Sequence, residues 1–400
     1  MTNPSLSTTL ASIPLSTCIY NASGPRTGSG AALSKIADSS AACVLAKSAT
    51  LGKQTGNPLP RTWHHETNQE DKDKFDSHAS LNSEGLPNSG IEYYIDKETI
   101  DEAVGESGKP YFVSISGKNL PENVTMLNNI YDKIQAGETR IAGVELNLAC
   151  PNVIGKPIIA YDFDQMDEVL KTVSSLPMFA GSKPVPLGIK MPPYFDGPHF
   201  ERAASTLNKY KSIVNYVASI NTIGNALKID TVAEMPVIRA KGGFAGLSGR
   251  AVKYTALANV KKMRELLDEE IDVVGVGGVF SGEDAFELIL CGATAVQVGT
   301  CHWTEGPKCF NRICNELTDI MKSKGYSSIN DFKGKLTDWS KEGVAKSREF
   351  KSKNKSKKDN GSTASQSTCT QKDGGYQLLS MVLIVVIAVL LADKFGHISI

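Results

Sequence analysis

Seven short apolar runs, rich in β-branched residues, constrain this chain more than any other feature: Cys43–Ser48, Tyr111–Ser116, Ala142–Leu148, Pro186–Met191, Ile213–Ile220, Ile271–Val276 and Ala293–Gly299. Unbroken apolar runs of this length suit strands buried on both faces, as in a parallel sheet. Between several of them lie amphipathic stretches, such as Phe163–Val173 and Tyr254–Leu267. Repeated βα units predict a parallel α/β fold. A (β/α)8 TIM barrel fits the number of units, and a doubly wound sheet is the alternative. The run ends favour the barrel. Lys47, Ser114, Asn147, Lys190, Asn221, Gly277 with Gly278, and Gly299 with Thr300 stand at or just past the C-terminal ends. Barrel enzymes build their sites there. Strands often end on polar residues, which accounts for Ser114 or Asn221 singly. It accounts poorly for two lysines that follow residues expected to be buried.

The chain has 400 residues, 41% of them apolar and 22% charged, with a formal net charge of zero. That is ordinary for a globular enzyme and ample for a large core. It argues against a nucleic-acid partner, which would draw a basic excess. The eight cysteines form no CxxC pair and no zinc-finger spacing; they read as reduced thiols, most of them small core residues. Met1 to Gly24 has no Lys or Arg, so neither a signal peptide nor a transit peptide is expected, and the catalytic part is placed in the cytoplasm.

Composition divides the chain into three zones. Residues 1–340 carry the βα pattern. Residues 341–375 are polar and Lys/Ser-rich, with linker composition that favours disorder. Residues 376–395 hold the run LLSMVLIVVIAVLLA from Leu378 to Ala392. As a helix this run would cover only about 22 Å of a hydrocarbon core of roughly 30 Å. Extension from Tyr376 to Phe395 makes it a transmembrane tail anchor, expected to tether the enzyme to an intracellular membrane.

The segment richest in chemistry is Glu145-Leu146-Asn147-Leu148-Ala149-Cys150-Pro151-Asn152. A strand ends at Asn147, and the loop then offers a thiol between two amides. Asparagines both donate and accept, so they suit a carboxylate and cyclic amide groups. A thiol with a reference pKa of about 8.5 serves as base or nucleophile. A structural cysteine in a proline turn is the competing account of these residues alone.

NLACPN resembles the signature of the class 1 dihydroorotate dehydrogenases. So do, in order, YNASG from Tyr20, LAKSAT from Leu45, GNPLPR from Gly56, GLPN from Gly85, GKPIIAYDF from Gly155, PLGIKMPPYFD from Pro186, NTIGN from Asn221, KYTALANV from Lys253, GVGG from Gly275, CGAT from Cys291 and QVGT from Gln297. The pattern is most similar to class 1A, whose members are homodimeric FMN barrels that use fumarate as electron acceptor. The resemblance implies oxidation of dihydroorotate to orotate in pyrimidine biosynthesis, with Cys150 as catalytic base. It implies substrate contacts from Lys47, Asn82, Gly85, Leu86, Asn147, Asn152, Asn221 and Thr222. It implies FMN contacts from Ala22, Ser23, Gly24, Lys47, Ser48, Ser114, Asn147 and Lys190, and a phosphate cradle from Gly249, Gly277, Gly278, Gly299 and Thr300. Glycines after the last strands also suit a phosphate on physical grounds.

Some positions depart from the family. Glu84 replaces a methionine, and a carboxylate there would repel an anionic substrate unless it turns outward. Ala245 and Ser248 replace glycines, which suggests a different loop path. Extra residues lie between Arg61 and Asn82; their histidines, His64, His65 and His78, match no metal-site spacing, so no metal is expected. Two other readings compete. One keeps barrel and substrate but passes electrons to NAD through a partner subunit. The other is a membrane-tethered non-catalytic homologue.

Overall fold

The structure, a computed structural model, describes residues 3–64, 79–150, 158–181 and 183–349. Residues up to Leu336 form one compact unit. The barrel strands are β1 (Ile19–Asn21), β2 (Val44–Leu45), β3 (Tyr111–Ile115), β4 (Ile141–Asn147), β5 (Leu187–Met191), β6 (Val214–Ser219), β7 (Asp272–Val276) and β8 (Ala295–Val298). They form one parallel eight-stranded sheet in the order β1-β8-β7-β6-β5-β4-β3-β2. The seam between β1 and β2 is closed differently. Ala42 N–H donates to the Ile19 carbonyl at 2.7 Å, and the Asn21 side chain bridges to Leu45, accepting from its N–H at 3.0 Å and donating to its carbonyl at 2.7 Å. The expected TIM barrel is therefore present.

Two cores explain why the strand runs do not alternate. Val217, Val273 and Val296 pack outward against the helices, while their neighbours Ala218, Val274 and Ala295 join Tyr20, Phe112 and Tyr216 inside the barrel. Both faces of each strand are buried, so both must be apolar. Each fully buried Val or Leu contributes roughly 1.5–3 kcal/mol. An N-terminal hairpin, Thr8–Leu10 with Ile13–Leu15, adds Leu10 and Leu15 to the inner core. It is tied to the start of β7, where Ala11 N–H donates to Asp272 Oδ2 at 2.9 Å. The N-terminal end of the barrel is thereby closed.

The outer helices begin on side chains suited to capping: Asn119, Asp162, Asp196 and Ser281 each accept an N–H from the first turn of their helix. Phe163–Ser174 and Lys253–Leu266 are helical as their periodicity predicts. Sequence patterning missed β1, whose three residues are too short for periodicity, and a second sheet. That antiparallel sheet runs Ile223–Ala226, Ala245–Gly249, Ala79–Asn82, Thr62–His64. The last two strands pair as a hairpin, so the extra residues after Arg61 form its connection. Residues 65–78 of that connection, with His65 and His78, lie outside the described residues.

Residues from Thr337 belong to a second unit. Its residues 341–349, at the head of the segment read as linker, are helical. The apolar run 378–392 lies outside the described residues. Among the described residues no helix is long and apolar enough to cross a membrane.

Candidate active site

Nearly every residue singled out from the sequence meets in one recess at the C-terminal end of the barrel. Its lining includes Ala22, Ser23, Gly24, Lys47, Ser48, Asn82, Leu86, Asn147, Cys150, Lys190, Asn221, Thr222, Gly249, Gly277, Gly278, Gly299 and Thr300. Ser114 is fully buried and lies behind the wall, its hydroxyl 2.8 Å from Ser48 Oγ. Gly85 also stands back, packed on Asn57. Asn152 lies outside the described residues.

The loop carrying Cys150 is held by asparagines on both sides. Asn147 Oδ1 accepts from Ala149 N–H at 3.0 Å, and Asn221 Nδ2 donates to the Ala149 carbonyl at 2.9 Å. Every described cysteine is free, and all but Cys150 are buried. Burial pushes the Cys18, Cys43 and Cys314 thiols up, away from the reactive thiolate form. Among the described cysteines, Cys150 is the one that lines the recess.

Lys190 projects from β5 into the barrel. Its Nζ donates to Gln297 Oε1 at 2.8 Å, and Gln297 Nε2 donates in turn to Glu145 Oε2 at 2.7 Å and to Tyr20 Oη at 3.1 Å. Tyr216 Oη adds a long contact to Glu145 at 3.4 Å. Burial lowers the Lys190 pKa to about 8, with Glu145 pulling the other way. Burial likewise raises that of Glu145, which Lys190 opposes. The ammonium thus reaches the recess with a neutral amide as its direct partner and is left to seek negative charge there.

Across the recess, the glycine corner fits a phosphate. Gly277 and Gly278 have φ of +125° and +75°, and a Cβ on Gly278 would sit 2.6 Å from Lys253 Cα. Only glycine can hold that path, and the lack of Cβ atoms along it allows close approach of a phosphate to the backbone. Ser23 and Ser48 continue the polar wall, Ser48 N–H donating to Ser23 Oγ at 2.7 Å. Ile220, Val252, Val279 and Phe280 supply an apolar face between them. A phosphate corner, an apolar slot and a buried cation are the features a phosphorylated flavin requires, and the donor set fits FMN. Among the described residues no group of three His, Cys, Asp or Glu side chains is placed to hold a metal ion.

The sequence family agrees with this geometry. Residues 5–321 match the dihydroorotate dehydrogenase family. The chain belongs to that family. It is 44% identical over 331 residues to dihydroorotate dehydrogenase A (fumarate) of Lactococcus lactis subsp. cremoris, covering 83% of this chain and 99% of the relative. It is 44% identical to dihydroorotate dehydrogenase (fumarate) of Saccharomyces cerevisiae, covering 79% and 93%. The crystal structure of a ligand-free DHODH from Eimeria tenella superposes with a TM-score of 0.64 at 19% identity, covering 83% and 92%, a likeness of fold alone. Both of these relatives are named as fumarate enzymes, the class that the NLACPN and PLGIKMPPYFD segments resemble.

Against the dihydroorotate dehydrogenase pattern, two departures resolve differently from expectation. Glu84 does not turn outward. It is 8% exposed, lines the recess and pairs with Arg61, whose Nε lies 3.4 Å from Glu84 Oε2. A neighbouring cation makes the inward position tolerable. Ala245 and Ser248 do not divert the loop. Both sit in the extended Ala245–Gly249 strand, where no positive φ is required, and Ser248 Oγ lies 2.9 Å from Ser80 Oγ. The demanding position is Gly249, with φ +85°, and it is still glycine.

Sequence reasoning passed over Arg26, Gln297, His302 and Trp303, all in the lining. Burial, and then the Arg26 charge, lower the His302 pKa to about 4, so this imidazole is neutral at physiological pH. Gln297 was within a recognised segment, and a polar residue between two apolar ones inside a buried strand is the signal that could have found it.

Proposed function

We propose that this chain oxidises dihydroorotate to orotate with bound FMN and passes the electrons to fumarate, giving succinate. The observation that carries the reading is the meeting of Cys150 with Lys47, Asn147 and Asn221 in the recess that also holds Lys190 and the glycine corner. Bound FMN would supply the redox chemistry, taking up a hydride in one half-reaction and giving it up in the other. Gly249, Gly277, Gly278, Gly299 and Thr300 would hold its phosphate, and Lys190 its pyrimidine edge. Cys150 takes the proton from C5 of dihydroorotate, a role worth about 10²–10⁴-fold. Lys47 faces the substrate carboxylate. Asn147 and Asn221 fix the Cys150 loop and keep their remaining amide atoms for the pyrimidine ring. After orotate leaves, fumarate takes the same place and the Cys150 thiol returns the proton. Anaerobic dihydroorotate should bleach the bound flavin, and fumarate alone should restore its colour with no partner protein present. A flavin that dihydroorotate leaves yellow overturns the reading, and recovery that requires NAD and a second subunit moves it to the other class.

Two further properties belong to this proposal. The enzyme acts as a homodimer, for which the exposed apolar side chains of Leu227, Ile229, Met235 and Phe244 offer a face; sedimentation at micromolar concentration tests it. The apolar run 378–392 tethers the otherwise cytoplasmic enzyme to a membrane. Resistance of the full-length chain to alkaline carbonate extraction, lost on truncation after Trp339, would support that attachment, and release of both forms alike removes it.

A further inference from the structure

Glu84 is a buried carboxylate in the wall of a pocket that takes anions. Lys47 is its neighbour at the rim, 7% exposed, and the Glu84 charge is the largest influence keeping the Lys47 ammonium charged against burial, followed by the Cys150 thiol; Arg61 acts in the opposite sense. Arg61 is fixed to the protein rather than free to follow a ligand. Besides Glu84 it donates from Nη1 to the carbonyls of Thr55 at 2.7 Å and Asn57 at 3.2 Å. The carboxylate therefore works against two cations, one of them rigidly held.

We propose that Glu84 sets the number of negative charges that this pocket prefers in its ligand. With Glu84 present, Lys47 and Arg61 together offer one net positive charge; without it they offer two. Glu84 thus subtracts one positive charge from what a ligand meets and handicaps a ligand with two carboxylates more than a ligand with one; Arg26 and Lys190, also in the lining, are common to both cases. This rests on the dihydroorotate and fumarate reading, whose two substrates differ in this respect: dihydroorotate is a monoanion and fumarate a dianion. A unit charge a few ångströms away in a partly buried site changes affinity by on the order of tenfold. A dianion feels it twice, with the more distant carboxylate feeling it less. Glu84 would then bias the enzyme toward binding its electron donor and against its acceptor. A residue serving only to anchor the loop through Arg61 would affect all ligands alike.

The test compares two ligands of one skeleton, fumarate and monomethyl fumarate, which differ by a single charge. Their dissociation constants are read on the resting FMN-loaded enzyme from the flavin absorbance, for wild type and for Glu84→Gln. Monomethyl fumarate should bind the variant about tenfold more tightly and fumarate more than that, about thirtyfold to a hundredfold. Glu84→Met, which removes the same charge with a different shape, should shift the pair in the same order. Equal shifts for the two ligands, or weaker binding of both, overturn the inference. Because binding is read without turnover, this result stands apart from the bleaching experiment that decides the reaction itself.

Discussion

Two lysines, Lys190 and Lys47, face the same recess with the same 7% exposure, and burial pulls both below the ordinary lysine range. Their surroundings differ in kind. Lys190 stands on a strand, and its partners Gln297, Glu145, Tyr20 and Tyr216 stand on or beside other strands of the closed barrel. None of these can move without disturbing the inner core. Lys47 lies beyond the end of its strand, and Glu84, Arg61 and Cys150 reach it from loops. Lys190 is thereby the more rigidly carried of the two. Lys47 is set among charges carried by loops, of which Arg61 is pinned by the Thr55 and Asn57 carbonyls. Under the proposed reading, Lys190 would serve the retained cofactor and Lys47 chiefly the exchanging substrate.

The sharpest break in that contrast is Cys150→Ala. If the rim handles chemistry alone, the variant should purify with its full FMN content and lose at least about 10²-fold in turnover, the low end for loss of a base. Cys150→Ser should be nearly as slow at neutral pH, since a hydroxyl is a far weaker acid than a thiol. Near-normal turnover of the alanine variant would remove Cys150 from the mechanism. Lys190→Ala should behave in the opposite manner. FMN should bind about tenfold to a hundredfold more weakly, and the rate of flavin reduction in single-turnover mixing should fall with it, because one ammonium serves both. Full occupancy with unchanged reduction would place the contact elsewhere.

Arg61→Ala probes the rim through stability. It leaves Glu84 buried beside Lys47 alone and frees the Thr55 and Asn57 carbonyls. Loss of a buried pair costs about 3–5 kcal/mol, but Arg61 is partly exposed, so about 1–3 kcal/mol is expected, a fall of several degrees in Tm. Arg61→Ala with Glu84→Gln should recover part of it, as the stranded charge is gone. A double variant no more stable than the single one would show that Arg61 acts through the backbone carbonyls instead.

The barrel was legible because its strands are buried on both faces, and residues such as Val273 and Val274 read as one apolar run whichever way they point. The glycine corner was legible because positive φ leaves few substitutes. What escaped was structure made by pairing rather than by pattern. The three residues of β1 have no period to detect, and the sheet through Thr62–His64 and Ala245–Gly249 exists only because distant segments meet. The same reason explains Glu84. Nothing near it in sequence announces that Arg61 will neutralise it from 23 residues away. Gln297 escaped because a single amide in a strand looks like a flaw until Lys190 and Glu145 are seen on either side.

The smallest expected effect is the most specific to the deep network. In the flavin-free protein Lys190 loses its proton near pH 8, its pKa lowered by burial and partly supported by Glu145. A ligand that favours the ammonium form keeps that proton bound. FMN affinity should therefore be level below about pH 8 and fall above it, by up to tenfold per pH unit, until the pKa of the flavin-bound protein is reached. Glu145→Gln removes the supporting charge while leaving an amide that can still meet Gln297. The Lys190 pKa then drops further, and the decline in FMN affinity should begin at lower pH than in wild type. Flavin fluorescence, quenched on binding, gives the profile for both proteins between pH 6 and about 9. Burial also raises the Glu145 pKa, and that makes the comparison informative in either direction. A shifted profile means Glu145 is ionised in the native protein and holds the Lys190 proton in place. Superimposable profiles mean that Glu145 is protonated in the native protein, and that Gln297 alone holds the deep lysine where the cofactor needs it.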